Sequence, residues 1–433
     1  MRGATVGLVL VLFLPLSGLP QRECLVEVRF DRLEGELRLK VGATLHQGWA
    51  QAVRSAAVRG ALRELRLEYL RLPTGAELGP FAGPVPGLMD ISNLAEAAKF
   101  ALSVGAKPLV CIRTQPAWGL SPSEFGAYCG ALAQALKREG LSRLSFEIFE
   151  SPDMGPDQMT AEETARYFVK ARKAIKALLP WAEVGGPGLS APWREEVEDF
   201  VGRCGRLDFL SFHFFGTHNA STSSGRLFRA AWEAVAADLP DQLTPGEVRA
   251  TLIAVGHTKA KVLITRLGVN SIRNPDGTPK DPRVSSGYSA AWLASFLAST
   301  SREVDSAIYY DALRPGWGLL RGEKKTPAYY ALWLFSTYFP RGAKACFRSS
   351  SGPGFCFAAR TKTAGNVLLV NISDFPVKFT VAAFGMGRLR MCRARIYRAS
   401  KNSILYVPLP LRRIQRLILG PRDVAVVQFV PPR

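Results

Sequence analysis

The chain has 433 residues, 47% of them hydrophobic and 21% charged, a composition that excludes a largely disordered protein. Its length allows either two or three domains or one barrel of about 250 residues with an appended domain. The 56 Lys and Arg against 36 Asp and Glu give a formal net charge of +20, which favours anionic partners, and the absence of zinc-finger, P-loop and GxGxxG motifs removes the classes that those motifs mark.

Residues 1–20 are organised like a signal peptide. Arg2 precedes an apolar run at 6–16 that is too short to span a bilayer, and Leu16-Ser17-Gly18 forms a weak cleavage site. An uncleaved N-terminal anchor is the alternative. In either case we expect an extracytoplasmic protein, secreted or anchored to a membrane.

Five of the seven cysteines fall into two groups. Cys111, Cys129 and Cys204 lie in segments with the pattern of a protein core, so we expect buried thiols there. Cys346 and Cys356 flank a Gly-rich turn, and their spacing would suit a hairpin disulfide in an exported protein. The sequence leaves that pairing open.

Between residues 40 and 340 one pattern recurs, a short apolar strand followed by an amphipathic helix. A helix is predicted at 161–178, for example, with Ala165, Phe168 and Val169 near its buried face. Repeated strand-helix units of this kind favour a closed (β/α)8 TIM barrel, whose chemistry lies at the C-terminal ends of its strands. The eight predicted strands are 41–45, 69–72, 108–112, 144–149, 184–186, 209–214, 262–265 and 307–310.

After residue 340 the pattern changes to short alternating runs, such as 366–372 and 424–430, separated by Gly, Pro and Asn. Such runs are typical of antiparallel strands, so we predict a β-sandwich over 341–433. Residues 21–39 also have a strand-like pattern and are expected to join this sandwich from the N-terminal side.

The fourth predicted strand ends in Phe146-Glu147-Ile148-Phe149-Glu150-Ser151-Pro152-Asp153. With this segment the chain resembles the clan-A retaining glycoside hydrolases, most closely family thirty-nine, which contains β-xylosidases and α-L-iduronidases. Members of that family carry aromatic-Asn-Glu-Pro here, and the Glu is the catalytic acid/base. In register, Glu150 stands at the Asn position and Ser151 at the Glu position, so the resemblance implies that the acid/base is replaced.

The seventh predicted strand ends in Ile264-Thr265-Arg266-Leu267-Gly268, where the family has Thr-Glu-aromatic-Gly and the Glu is the nucleophile. Arg266 therefore stands at the nucleophile position. A guanidinium has no lone pair to give to an anomeric carbon, and its positive charge opposes an oxocarbenium-like transition state. The resemblance thus implies a glycosidase fold without the retaining chemistry.

Further segments match the same register. The Gly-Gly-Pro at 185–187 is similar to the family's segment after its fifth strand, and 207–213 resembles its sixth strand, with His213 as the site histidine. Arg71 corresponds to an arginine that holds the site carboxylates in the family. Residues 326–332 resemble the closing helix that precedes the family's accessory β-sandwich.

Two interpretations of the altered site stay open, and they are compatible. Arg266 and Glu150 could form an ion pair that closes the barrel mouth, or Arg266 could bind a carboxylate, sulfate or phosphate of a polysaccharide. Glu150 reaches the cleft only if the strand end bends, because adjacent strand residues point to opposite faces. With Asp153 or Asp311 it could then supply a non-standard acid and base.

Other side chains at the predicted strand ends could line a sugar cleft, by hydrogen bonding or by stacking aromatic rings on pyranose faces. Each of them has an ordinary packing role as its alternative. With Glu150 and Arg266, the candidate substrate-binding residues are Arg71, His46, Trp118, His213, Tyr310 and Trp317.

The net charge and the spacing of candidate ligand residues indicate which other partners to expect and which to exclude. No residues have metal-ligand spacing, and no cofactor is indicated. From Arg388 to Arg433, ten Arg and one Lys accompany the single acid Asp423, which suits an anionic glycan or phospholipid headgroups. Nucleic acid is disfavoured in an exported chain that lacks a recognition module.

Three functional hypotheses result. The first is an exported glycoside-hydrolase-like protein that lacks the retaining activity and binds carbohydrate, in particular an acidic polysaccharide, in the barrel cleft. The second is an active glycosidase that hydrolyses O-glycosidic bonds with non-standard residues such as Glu150. The third is an interaction protein with a closed cleft and a basic surface that docks to a partner or a membrane.

Overall fold

The computed structural model describes residues 22–45, 49–75, 90–113, 119–155, 158–387 and 391–431, so the predicted signal segment 1–20 lies outside the described residues. The strands are β1 Arg22–Glu36, β2 Lys40–Thr44, β3 Tyr69–Pro73, β4 Lys107–Ile112, β5 Ser145–Ile148, β6 Glu183–Leu189, β7 Phe209–Phe215, β8 Lys261–Gly268, β9 Ser306–Tyr309, β10 Leu320–Arg321, β11 Lys324–Lys325, β12 Lys344–Ser351, β13 Gly354–Arg360, β14 Gly365–Asn371, β15 Val377–Phe384, β16 Met391–Arg398, β17 Ser403–Leu409, β18 Ile414–Leu419 and β19 Val424–Val430. The helices are α1 Trp49–Arg54, α2 Ala56–Glu64, α3 Ser92–Ser103, α4 Pro122–Arg138, α5 Ala161–Leu178, α6 Arg194–Arg203, α7 Ser224–Glu233, α8 Pro245–Ala254, α9 Gly287–Ser299 and α10 Pro327–Tyr338.

Strands β2 to β9 form a closed barrel in sequence order, with every pair parallel and β9 returning to β2. The predicted (β/α)8 barrel is therefore confirmed. Each predicted strand coincides with one of these eight, because each is a short apolar run bounded by polar or turn residues.

The helices that surround the barrel begin at clear sequence signals. In α5, Thr160 accepts a hydrogen bond from the Glu163 backbone N–H, and the Glu163 carboxylate accepts one from the Thr160 N–H, which is a capping box. The predicted buried face of this helix is correct at Ala165 and Phe168 but wrong at Val169, which is 40% exposed at the border of that face. In the described part of the chain, none of the helices is both long enough and apolar enough to cross a membrane.

Charged side chains close the N-terminal end of the barrel. Glu183 accepts hydrogen bonds from Lys107 at 2.8 Å and from Lys261 at 2.6 Å, and the Tyr69 hydroxyl donates to it at 2.8 Å. Although burial raises the pKa of Glu183, the two lysines lower it to about 2, so the carboxylate stays ionised. This end of the described barrel is therefore a satisfied polar plug.

The C-terminal strands and β1 form one nine-stranded sheet in the order β17-β16-β19-β14-β13-β12-β1-β15-β18. Its pairs are antiparallel, except that β1 and β15 run parallel. Side chains from strands near both ends of this order, such as Ala394 of β16 and Leu417 of β18, share one apolar core with Val28 of β1. The sheet therefore folds over itself into two packed layers, as expected for a sandwich.

Helices α9 and α10 lie between the barrel and the sheet domain. Aromatic rings join the two parts, with Tyr330 stacked on Tyr397 at 5.4 Å and Trp232 stacked on Phe355 at 6.1 Å between ring centroids. Such pairs add to the apolar area that the junction removes from water, so the sheet domain packs firmly on one side of the barrel.

All seven cysteines are buried free thiols. Burial was expected for Cys111, Cys129 and Cys204 and is confirmed. The disulfide considered between Cys346 and Cys356 is wrong. The pairing of β12 with β13 begins with Lys344 opposite Arg360 and Ala345 opposite Ala359, a register that offsets the two cysteines along the hairpin.

Candidate functional site

A buried arginine organises the C-terminal mouth of the barrel. Arg71, on β3, donates from Nε to Glu147 Oε2 at 2.6 Å and from Nη1 to Glu150 Oε1 at 3.2 Å. Its Nη2 donates to the thiol of Cys111 at 3.0 Å. Arg71 and Glu147 are fully buried. The guanidinium thus holds two carboxylates inside the barrel.

The backbone bends sharply after β5 and turns Glu150 into the mouth. Phe149 has φ +79° and Ser151 has φ +51°, both in the left-handed region that non-glycine residues seldom adopt. Hydrogen bonds hold the bend, since the Phe149 N–H donates to Ile112 O at 2.7 Å and the Ser151 N–H to Gly188 O at 2.8 Å. The condition stated for Glu150 to reach the cleft is therefore met.

Gly188 makes room for this bend. It has φ +61°, and a Cβ built on it would lie 2.9 Å from Phe149 O and 3.0 Å from Glu147 Oε1. Any larger residue would press on both the bend and the buried carboxylate. Only glycine satisfies the conformation and the space together.

Three arginines surround the Glu150 carboxylate. Besides Arg71, Arg113 donates from Nε to Glu150 Oε2 at 2.8 Å, and Arg266 forms an ion pair through Nη2 with Glu150 Oε1. Burial alone would raise the pKa of Glu150, but the charges of Arg266, Arg71 and Arg113 outweigh it and hold that pKa well below its usual range. Glu150 is thus ionised at neutral pH.

A β-bulge aims Arg266 into the mouth. Phe212 pairs with Ile264 and His213 with Arg266, so the register shifts by one residue at Thr265. The shift places Arg266 where strict alternation would have placed its neighbour. The ion pair between Arg266 and Glu150, one of the two interpretations considered above, is therefore present. The Arg266 side chain is still 17% exposed and that of Arg113 30% exposed.

Tyr310 lies against Arg266, whose guanidinium carbon is 5.0 Å from the ring centroid. The Tyr310 hydroxyl accepts a hydrogen bond from Arg314. Trp317 packs edge-on to Tyr310 at 5.8 Å, is only 1% exposed, and donates from Nε1 to Gly277 O at 3.2 Å. Trp317 therefore supports Tyr310 from behind and offers no open ring face in this conformation.

Ser151 and His213 meet at the acid/base position of the resemblance. Ser151 Oγ lies 3.2 Å from His213 Nδ1, within hydrogen-bond distance. His213 is 4% exposed, and its Nε2 has no hydrogen-bond partner among the described residues. Burial and the positive charges of Arg266 and Arg71 lower the pKa of His213 well below its ordinary value, so the imidazole is neutral.

Because His213 is neutral in the folded protein, we expect the stability of the protein to depend on pH. Unfolded histidine takes up a proton near pH 6.5, whereas folded His213 does not, so the free energy of unfolding should fall as pH decreases below about 6.5, by up to about 1.4 kcal/mol per pH unit. Urea unfolding at a series of pH values measures this slope. His213→Asn should remove the contribution of this imidazole to the slope. An unchanged slope in His213→Asn would contradict the neutral state.

The other acids considered for catalysis have structural partners. Asp153 accepts from the Ser190 backbone N–H at 2.9 Å and from its hydroxyl at 2.5 Å. Asp311 Oδ1 accepts from the backbone N–H groups of Leu313 at 2.9 Å and Arg314 at 3.2 Å. Both carboxylates therefore hold loops at the mouth.

Three site residues were missed by the sequence analysis, namely Glu147, Arg113 and Cys111. Strand alternation could have found them, because Leu109, Cys111 and Arg113 lie two apart along β4 and its end, and Glu147 follows Ser145 by the same step on β5. Two candidates, His46 and Trp118, lie outside the described residues. The described site is thus a charge cluster of three guanidiniums and two carboxylates beside a Ser-His pair.

Solved structures of glycoside hydrolases share this architecture. A family 51 α-L-arabinofuranosidase from Thermotoga petrophila RKU-1 aligns with TM-score 0.69 and 13% identity over 94% of this chain and 100% of its own. A family 30 subfamily 8 xylanase from Clostridium acetobutylicum gives TM-score 0.68 and 11% identity over 94% and 99%. A monomeric β-xylosidase from Caulobacter crescentus CB15 gives 0.65 and 15% over 94% and 100%.

At these identities the likeness establishes only that the chain shares the fold of these glycoside hydrolases, and activity must be argued from the site. Neither a protein-family model nor a curated protein sequence matches the chain.

Proposed function

We propose that this protein is an extracytoplasmic, glycoside-hydrolase-like protein that has lost the retaining mechanism and binds an acidic polysaccharide at the barrel mouth. The observation that carries the proposal is the ion pair between Arg266 and Glu150 at the end of β8. The glycoside hydrolase fold supports carbohydrate as the ligand class. The signal-like segment 1–20 supports export or membrane tethering.

The loss of retaining chemistry follows from the assignment of two positions by resemblance to the β-xylosidase and α-L-iduronidase family. Retaining hydrolysis needs two carboxyl groups about 5–5.5 Å apart, one as nucleophile and one as acid/base. Here Arg266 and Ser151 stand at those positions. Arg266 cannot attack an anomeric carbon, and the Ser151 hydroxyl, beside a neutral imidazole, is too weak an acid to protonate a leaving group.

Glu150 does not restore the missing acid. A general acid must be protonated near neutral pH, but three guanidiniums keep this carboxyl ionised. Its two oxygens are occupied, Oε1 by Arg71 and Arg266 and Oε2 by Arg113. This arrangement argues against the second hypothesis, that of an active glycosidase.

The preference for an acidic ligand follows from the charge at the mouth. Three guanidiniums face two carboxylates, and His213 adds no charge. Arg266 Nε is buried and makes no hydrogen bond within the described chain. Arg113 and Arg266 keep exposed surface, so each can turn N–H groups to a uronate carboxylate or a sulfate while still touching Glu150.

Binding measurements test this function directly. Isothermal titration with uronic-acid oligosaccharides and with neutral oligosaccharides of equal length should show binding of the acidic set. Arg266→Gln should weaken it roughly 10- to 100-fold, because one charge-assisted hydrogen-bond donor is lost. Arg138→Gln, at an exposed arginine on α4, is the matched control and should bind as the wild type does.

Two outcomes would contradict the proposal. Equal affinity for the neutral and acidic sets would remove the electrostatic argument. Turnover of aryl glycosides by the wild type, with release of the sugar at a steady rate, would show that chemistry survives at the mouth.

A further inference from the structure

The connection between β17 and β18 carries an unusual concentration of positive charge. Residues 403–420 contain three arginines and no acidic residue. The three are exposed, and within the described chain none of them forms an ion pair; they are Arg412, Arg413 and Arg416. Arg416 is close enough to Glu23 to help lower the pKa of that carboxyl, but Glu23 is paired with Lys378, so the net positive charge of the cluster can attract anions from outside.

Exposed apolar side chains surround these arginines. Leu411 is 59% exposed, Ile414 54% and Ile418 39%. Along β18 the exposed and buried positions alternate, so Ile414, Arg416 and Ile418 share the outer face of the sheet. Large aliphatic and cationic side chains thus occupy one continuous surface at a sheet edge.

The same segment forms a cavity of about 530 Å³, lined by Leu409, Pro410, Arg412, Arg413, Ile414, Gln415 and Arg416. We call residues 409–416 the arginine loop. Gln415, only 1% exposed, donates from Nε2 to the carbonyls of Pro410 at 2.8 Å and Arg412 at 2.6 Å. These bonds fix the shape of the arginine loop from within, so the cavity and its arginines are preorganised.

We propose that the arginine loop docks this protein onto an anionic phospholipid bilayer. Headgroup phosphates enter the cavity between the arginines, and Leu411, Ile414 and Ile418 enter the boundary between headgroups and acyl chains. Arginine binds phosphate by two parallel N–H donors, and basic side chains near an anionic leaflet each strengthen attachment. Exposed aliphatic side chains beside them add the apolar contribution of interfacial proteins.

The apolar residues favour a bilayer over the other anionic occupants. A soluble acidic polysaccharide would gain from the arginines but would leave Leu411 and Ile414 in water. A second copy of the chain, pairing edge to edge through β18, would bring the two arginine clusters together, and like charges oppose that contact. The docking surface lies on the sheet domain, and the inference does not depend on the ligand of the barrel mouth.

Vesicle flotation tests the docking surface. The full chain should float with vesicles of phosphatidylcholine and phosphatidylglycerol, should not float with phosphatidylcholine alone, and should dissociate as salt rises. Arg412→Gln with Arg413→Gln should weaken binding about 25-fold, or about fivefold for each arginine. The control Arg138→Gln with Arg143→Gln removes the same charge from exposed barrel positions and should have no such effect.

A second pair of variants separates a bilayer from a polysaccharide. Leu411→Ser with Ile414→Ser should weaken vesicle binding about tenfold, because less apolar surface is buried. Arg266→Gln should float as the wild type does, which keeps this test independent of the mouth. Equal losses in the control pair, no loss in the serine pair, or a dimer that the arginine pair dissociates in light scattering would each overturn the proposal.

Discussion

Replacing Arg71 with Met should lower the free energy of unfolding by about 3–5 kcal/mol. Arg71 is fully buried and is bound to both Glu147 and Glu150. Its removal leaves Glu147, which is also fully buried, without its ion-pair partner. Breaking one side of a buried pair costs more than the pair itself contributes, because the remaining charge cannot return to water. Chemical unfolding followed by tryptophan fluorescence measures the change.

Two further variants show whether the loss of stability in Arg71→Met comes from the buried charge or from lost packing. Lys99→Met removes the lysine of an exposed pair with Glu139 and should cost under about 1 kcal/mol. Adding Glu147→Gln to Arg71→Met should recover part of the loss, since a neutral amide replaces the stranded carboxylate. If the double variant is no more stable than Arg71→Met alone, lost packing and not charge is the cause.

Glu150→Gln is expected to act on stability and on binding in opposite directions. The amide cannot balance Arg71, Arg113 and Arg266, so the free energy of unfolding at neutral pH should fall by about 2–3 kcal/mol. The same change frees Arg113 and Arg266 from their internal partner, so acidic oligosaccharides should bind about tenfold more tightly. Unfolding and titration experiments on one preparation give both values.

The difference in unfolding free energy between the wild type and Glu150→Gln should depend on pH in one direction. The folded pKa of Glu150 lies well below the unfolded value of about 4.3, so its contribution is present above that value and is lost as pH falls through the folded pKa. The stability gap between wild type and Glu150→Gln should therefore be constant from neutral pH to about pH 5 and shrink in stronger acid. Weaker oligosaccharide binding by Glu150→Gln would show instead that the carboxylate itself contacts the sugar.

The sequence was sufficient for the barrel because each strand is a local apolar run. Two strands extend well past their predicted ends, β8 to Gly268 where 265 was predicted and β6 to Leu189 where 186 was predicted. The glycines of β6 let β7 approach closely, and the β-propensities of single residue types do not predict such an approach. A Cβ on Gly185 would lie 2.1 Å from Phe209 O, so β6 and β7 pair closely only through glycine.

The site residues could be predicted where a family motif marks their positions, but the contacts of the other site residues could not. The pairing of Arg266 with Glu150 could be anticipated because their charges are opposite at positions that resemblance brings together. Strand alternation directs Arg113 into the barrel, but its contact with Glu150 could not be anticipated, because the bend at Phe149 and Ser151 is what turns Glu150 toward it. Side-chain direction at a bend depends on tertiary contacts, which strand alternation does not describe.

The position of β1 has a consequence for synthesis of the chain on the ribosome. This strand is translated early, yet it lies between β12 and β15, and Lys344 follows its partner Glu36 by 308 positions. Until those late strands emerge, the backbone groups of β1 have no sheet to join, although the barrel segments between them can already fold. Completion of the C-terminal sheet is therefore a late event in biogenesis. A nascent chain that stalls before β12 would expose the unpaired backbone N–H and C=O groups of β1 to chaperones and proteases.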